Sequence, residues 1–104
     1  MTAAATGRDA LAGTVARVAA EVPGVAFLRP GLAELIRGSA GRTPAGVRVT
    51  RGSGTGPWEV DVQLVVRRGH RALTVARAVR DAVTAALART APGAQVTVTV
   101  TGAV

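Results

Sequence analysis

The sequence contains no cysteine, and this absence excludes disulfide bonds, thiolate metal ligands and redox chemistry through protein thiols. Such usage is expected of a protein in a reducing cytoplasm. Aromatic residues are nearly absent as well, because Phe27 and Trp58 are the only two. The apolar residues are mostly Val and Ala, so each buries little area, and we expect a core with a small margin of stability.

Long apolar runs are also missing, since no segment approaches the roughly 20 apolar residues of a membrane span. The first eight residues lack the basic start and continuous apolar run of a signal peptide. These features predict a soluble, cytoplasmic protein. A length of 104 residues favours one domain. We expect residues 1–9 to form a flexible tail, with Asp9 as an N-cap, and residues 10–104 to form the domain.

Lysine is absent too, so all 13 basic residues are arginines, and with 6 acidic residues the formal net charge is +7. Two interpretations stay open. The charge reflects codon bias toward Arg, Ala, Gly and Val, or it marks a positive surface that meets anionic lipid, nucleic acid or an acidic partner. The arginines are scattered, with no run of four, which favours the compositional interpretation.

Three segments carry apolar residues at helical spacing. The first helix is predicted to end at Pro23-Gly24, and a second, shorter one follows Pro30. The third is a long helix after Gly69 that ends at Ala91-Pro92-Gly93, with polar residues on its other side. The apolar stripes are Leu11, Val15, Val18 and Val22; Leu28, Leu32, Leu35 and Ile36; and Leu73, Ala76, Val79, Val83 and Leu87.

Three other segments alternate apolar and polar residues, which predicts strands with one buried and one wet face. They are residues 47–50, 58–67 and 95–101, and a glycine-rich hairpin connects the first two. If Trp58 pairs with Arg51, then Arg48 lies opposite Asp61. The last segment carries no charge and is a candidate pairing edge, with Val96, Val98 and Val100 inward.

Together these segments predict an α+β fold in the order α-(short α)-β-β-α-β. It is a two-layer sandwich in which two main amphipathic helices cover one face of a three-stranded sheet. The sheet is mixed or antiparallel, and the sequence leaves open whether the last strand lies beside the first or the second.

Five blocks of the sequence follow one another at a recognisable spacing, namely residues 15–25, 47–49, 60–69, 75–83 and 96–102. In this order and spacing they resemble the alkaline shock protein (Gls-type) family of bacterial envelope stress response proteins. The resemblance covers about residues 10–104, and the composition is similar to that of high-GC bacteria such as actinobacteria. The chain departs from the family pattern in its strong positive charge and in an insert over residues 27–36.

This resemblance implies a non-enzymatic cytoplasmic protein of the envelope stress response, held in some members at the inner face of the membrane by a separate anchor protein. It implies self-association into a homo-oligomer or docking to that membrane-anchored partner. No catalytic, cofactor or metal-binding residues come with it.

Candidate chemistry in the chain is sparse. His70 is the only histidine. A general base needs a residue that orients it and a nearby nucleophile, and the sequence indicates neither, so an exposed turn residue is the simpler interpretation. Glu59 and Asp61 share a strand face and are more simply explained by pairing with Arg48 than by a cation site. The glycines of residues 52–56 join two strands rather than opening a helix, so a hairpin tip is favoured over a phosphate loop. The Gly38–Gly41 segment is similar to the clamp of KH domains but precedes the hairpin.

The sequence therefore favours an interaction or assembly module over an enzyme. Its alternative is a KH-like nucleic-acid-binding protein that uses its arginines. The candidate interaction surface combines the wet sheet face with the densest basic area, and comprises Gln63, Val65, Thr97, Thr99, Thr101, Arg67, Arg68 and Arg71.

Overall fold

The computed structural model describes residues 3–29, 46–51 and 56–104. Two helices cover one face of a four-stranded sheet, so the predicted two-layer α+β sandwich is confirmed. We call the helix-covered face of the sheet the inner face and the opposite one the outer face. The elements are α1 (Ala3–Ala20), β1 (Val25–Leu28), β2 (Val47–Arg51), β3 (Trp58–Val66), α2 (Ala72–Ala86) and β4 (Gln95–Ala103).

The sheet is mixed, with β3 at its centre. Strands β1 and β2 both pair antiparallel with β3, whereas β4 pairs parallel with it. Residues 59–62 of β3 pair with β2 and β4 at once, so these two strands lie on opposite edges of β3. The last strand thus lies beside the second of the strands that the sequence predicts.

Strands β1 and β2 together form one interrupted edge strand. The first pairs with the C-terminal end of β3 and the second with its N-terminal end. Both chain segments meet opposite Gln63, where the Arg29 N–H donates to the Gln63 carbonyl (2.9 Å) and the Gln63 N–H donates to the Gly46 carbonyl (2.7 Å). Residues 30–45 are therefore inserted into a strand whose two parts continue one another.

The short strand β1 is the main feature that the sequence prediction missed. Leu28, which we expected in a short helix, pairs with Leu64 of β3. A four-residue strand has too few residues to show a period, and its partner lies far along the chain. The insert accordingly begins after Arg29 rather than at Phe27. The rest of the expected short helix, Leu32, Leu35 and Ile36, lies outside the described residues.

Helix α1 begins at Ala3, so Asp9 lies inside the helix and is not its N-cap, the role that the sequence predicts. The prediction was wrong at this point. The expected tail over residues 1–9 contains its first turns, since alanine has the strongest helix propensity. The apolar stripe itself is confirmed: Leu11, Val15 and Val22 are buried, and Val18 packs against the same core. Helix α1 packs on β1 and β2, and α2 packs on β4 and on α1.

The alternation is confirmed along β4, and along β3 as far as Leu64. Val60, Val62 and Leu64 are buried on the inner face, and the β4 valines are half-buried against the same core while the threonines between them are exposed. The β2–β3 register is also the predicted one, with Arg51 opposite Trp58 and Arg48 opposite Asp61. In addition, the Arg51 guanidinium lies 4.8 Å from the centre of the Trp58 ring, a cation–π contact that register alone did not reveal.

The buried side of α2 differs from the predicted one by a shift around the helix. Val75, Val79, Val83 and Leu87 are buried, whereas Leu73 is 62% exposed. Leu73 and Val75 are about 200° apart around a helix, so they cannot share one face. Packing against α1 and β4 selects the Val75 side, and Leu73 is left on the flank of α2 that faces β4.

Candidate functional site

The free edge of β4 is the most distinctive surface of the described fold. Within residues 3–29, 46–51 and 56–104, β4 pairs with β3 alone, so its second edge has no strand partner. This edge is nine residues long and carries neither a charged residue nor a proline. An unguarded row of backbone N–H and C=O groups is a template for a further strand.

The C-terminal end of β4 is fastened to β3 by an irregular stretch. The register shifts by one residue, so that Leu64 pairs with Val100 and Val65 with Gly102. The extra residue, Thr101, donates its hydroxyl to the Leu64 carbonyl (3.2 Å). These bonds fasten the edge of β4 that pairs with β3, and they do not involve the free edge.

Beyond the bulge, the last residue also bonds to β3 and its continuation. The Val104 N–H donates to the Val66 carbonyl (3.0 Å), and the Arg68 N–H donates to the Val104 carbonyl. Both backbone groups of Val104 therefore point toward β3. Because successive residues of a strand alternate in this respect, those of Ala103 point toward the free edge.

The opposite edge of the sheet is much less suited to strand addition. It is divided between β1 and β2 by the insertion after Arg29, and β1 itself carries a register irregularity between Val25 and Phe27. Arg48 and Arg51 add charge to its second part. Breaks and charged side chains are devices by which proteins protect sheet edges, and among the described residues they are found on this edge and not on β4, whose irregularity is the single bulge at Thr101.

A groove of about 460 Å³ runs between α2 and β4, directly beside the free edge. Its helix wall is a single stripe, because residues three or four apart lie on the same side of a helix. Two residues of its lining are charged, and both are arginines. The lining consists of Leu73, Ala76, Arg77 and Arg80 from α2 and Val96, Thr97 and Val98 from β4.

The sequence prediction missed this groove because it assigned Leu73 to the core stripe. The residues that line the helix wall form a second stripe, Leu73-Ala76-Arg77-Arg80, beside the buried one. Its first two members are apolar and its last two are basic, and the apolar pair extends the hydrophobic pattern of the neighbouring core stripe, so the pattern alone could not separate Leu73 from the core. The proximity of Leu73 to β4 is a signal that only the packing of α2 supplies.

The predicted outer-face residues are placed as expected, with one correction. Thr97, Thr99 and Thr101 are exposed, and Gln63 is half-buried opposite Thr99. Val65, in contrast, is only 1% exposed and does not belong to the wet face. In the sheet it lies between Phe27 of β1 and Gly102 of β4, and a Cβ on Gly102 would lie 3.9 Å from its side chain.

The predicted basic residues lie apart from the groove, in the connection between β3 and α2. Arg67, Arg68 and Arg71 are exposed there, and Arg71 is the N-cap residue of α2. The structure brings this connection to the end of β4, because Arg68 bonds to Val104. Cations at a helix N-terminus interact unfavourably with the helix dipole, which makes this end receptive to an anionic group.

His70 occupies the same connection and is exposed. A Cβ added to Gly24 would lie 2.9 Å from its Nδ1, so the imidazole packs against the turn after α1. Across the described ranges, no group of three His, Asp or Glu side chains is arranged to hold a metal ion.

The two glycine-rich segments of the sequence, residues 52–55 and 38–41, lie outside the described residues. The antiparallel pairing of β2 with β3 supports the interpretation of the first segment as a hairpin connection.

Comparison of the chain with family models, with curated proteins and with solved structures finds no match. The resemblance to the alkaline shock protein family therefore stays a prediction from the sequence. Among the helices of the described ranges, none is both long and apolar enough to cross a membrane.

Proposed function

We propose that this protein is a non-enzymatic interaction module that joins other proteins through the free edge of β4. The observation that carries the proposal is the contrast between the two edges of the sheet. One edge is interrupted and charged, whereas β4 offers nine uncharged residues beside a groove. In strand addition the main-chain hydrogen bonds provide affinity, and pockets for alternate side chains provide specificity.

The family resemblance supports a more specific version of the proposal. In that version the protein acts in the cytoplasm in the envelope stress response and docks to a membrane-anchored protein at the inner face of the membrane. The outer-face threonines and Arg67, Arg68 and Arg71 then extend the contact surface beyond the edge. Nucleic-acid binding is the alternative that the arginines suggest, and its signature is an affinity that falls steeply with salt.

Site-specific photo-crosslinking in cells tests the proposal. A photoreactive amino acid is placed at Thr97, which is exposed on β4, or at Ala85, which is exposed on the flank of α2 away from the groove. We expect a discrete protein adduct from position 97 and none from position 85. Equal adducts at both positions, or none at position 97, would contradict an interaction through the β4 edge.

A further inference from the structure

We infer that the groove beside β4 binds an extended acidic segment of a partner protein, which adds to β4 as a fifth strand. The inference rests on the proposed function and specifies the chemistry of its partner.

The groove has room for a strand beside β4. Neighbouring strands lie about 4.8 Å apart, so a strand added to β4 would lie along the α2 wall of the groove. Its side chains would point alternately to the two faces of the sheet. Those on the inner face would meet Leu73 and the two arginines, whereas those on the outer face would lie beside Thr97 and Thr99.

One part of the groove is apolar. Leu73 is among the few large apolar side chains of the described residues that are exposed, and it lies beside the half-buried Val96 and Val98. A side chain of a bound strand that covers Leu73 removes apolar area from water, which favours binding. The occupant therefore carries at least one apolar residue on its inward side.

The charged part of the groove is positive. Arg77 and Arg80 are exposed at the groove, whereas Asp81 is not part of its lining. Asp81 lies next to Arg77 on the helix, because the two residues are four apart, but the two arginines outnumber this single carboxylate and the groove keeps a net positive charge. Carboxylates on the inward side of a bound strand would pair with both guanidinium groups, and arginine is well suited to such recognition. The occupant is accordingly acidic as well as apolar.

The same charges argue against the two other occupants. A second copy of this chain carries a net charge of +7 and would bring its own Arg77 and Arg80 to the junction, so like charges would face each other. Single-stranded nucleic acid is typically held by aromatic stacking next to basic groups. The two aromatic residues, Phe27 and Trp58, lie on β1 and β3 and do not line this groove.

Fluorescence anisotropy with short labelled peptides tests the inference on the full chain. The probe is Thr-Glu-Thr-Val-Thr-Glu-Thr, and its matched controls carry Arg in place of Glu or Pro in place of Val. We expect saturable binding of the acidic peptide and no binding of the arginine peptide. The proline peptide should bind weakly, because proline removes a donor from the added strand. Added salt should weaken the binding.

Variants of the chain identify the groove as the binding site. The double charge reversal Arg77→Glu/Arg80→Glu should weaken acidic-peptide binding about tenfold or more, since two attractions become repulsions. The matched control Arg8→Glu/Arg17→Glu changes the net charge equally on exposed positions of α1, and should retain most of the affinity. Equal losses in both variants would show a non-specific charge effect and would overturn the inference.

Amide hydrogen exchange separates failure of the inference from failure of the proposed function. Peptide binding should protect backbone amides of β4. If the arginine peptide binds as well as the acidic one and protects β4, the edge is used but the occupant chemistry is wrong. If neither peptide protects β4 and Thr97 gives no adduct in cells, the proposed function fails as well. Tight binding of a labelled oligonucleotide at the same arginines, without protection of β4, would overturn the acidic-segment assignment.

Discussion

At the scale of single residues, Gly46 shows how one position secures the interrupted edge strand. Its φ is 82°, a conformation that residues with a Cβ rarely adopt. A Cβ at this position would lie 2.7 Å from both the Arg29 nitrogen and the Gln63 carbonyl oxygen. The chain re-enters the sheet here against backbone atoms, which cannot rotate away as a side chain can. Glycine is therefore required for two separate reasons.

The substitution Gly46→Ala is predicted to destabilise the fold by about 3 kcal/mol or more, because backbone strain and a backbone collision act together. Gly69→Ala is the matched control, since Gly69 has a φ of 94° but no atom within 4 Å of the added Cβ. It should cost only the strain of the left-handed conformation, about 1–2 kcal/mol. Urea unfolding measures both values, and equal losses would contradict the close approach at Gly46.

A pair of leucines tests which side of α2 is buried. Leu87 is 1% exposed, so Leu87→Ala is predicted to lower the free energy of unfolding by about 2–5 kcal/mol through lost burial and a cavity. Leu73 is mostly exposed, and Leu73→Ala should change the stability by less than about 0.5 kcal/mol. Thermal and urea unfolding of both variants provide the comparison. A large loss on truncating Leu73 would restore the core stripe that the sequence predicts.

At the scale of elements, the two edges of the sheet differ in how they are built. The β1–β2 edge consists of two short pieces that meet opposite Gln63, whereas β4 is one uninterrupted strand with a bulge at Thr101. Registers on the two sides of the insertion are continuous, since Leu28 pairs with Leu64 and Val47 with Val62. One residue between Leu28 and Val47 is enough to complete this pairing.

Deletion of residues 30–46 is therefore predicted to leave a continuous edge strand in the same register. Arg29 would follow Leu28 and precede Val47, and it would exchange both hydrogen bonds with Gln63 in place of the present Arg29 and Gly46 pair. Cross-strand NMR contacts between Arg29 and Gln63, and slow amide exchange in β3, would verify this outcome. A variant in which the β2 residues exchange freely would show that the two pieces are not one strand.

At the scale of the whole molecule, the net charge of +7 acts on association rather than on the fold. Pairing of two copies through β4 would bring equally charged chains together, whereas an acidic partner would be attracted. These two kinds of association should thus respond to salt in opposite directions.

Light scattering is expected to give the mass of one chain at low ionic strength over the full concentration range. Self-pairing should strengthen as salt screens the arginines, and Thr99→Lys should weaken it by adding charge next to the free edge. Binding of the acidic peptide should instead fall with salt. A dimer that is stable at low salt, and that Thr99→Lys disrupts, would identify a second copy as the occupant of the edge.

The features that could be predicted are those that depend on the periodic spacing of apolar residues within one helix or strand. Alternation in β3 and β4, the stripe of α1 and the Arg51–Trp58 register follow from neighbouring residues, and the fold class follows from their order. The missed parts, β1 and the outward position of Leu73, depend on partners distant in the chain. A four-residue strand, and a helix whose apolar residues extend beyond one stripe, each allow more than one arrangement.

The sequence by itself determined which faces of the strands meet water and that α-helices and a sheet pack in two layers, because side-chain direction alternates with fixed periods. Only the tertiary structure decided that β4 lies beside β3 with its other edge without a strand partner among the described residues, and that Arg77 and Arg80 flank this edge. Those features arise from which element packs against which. The shape and area of the contacting surfaces decide which elements pack together, and the spacing of apolar residues along the chain does not predict it.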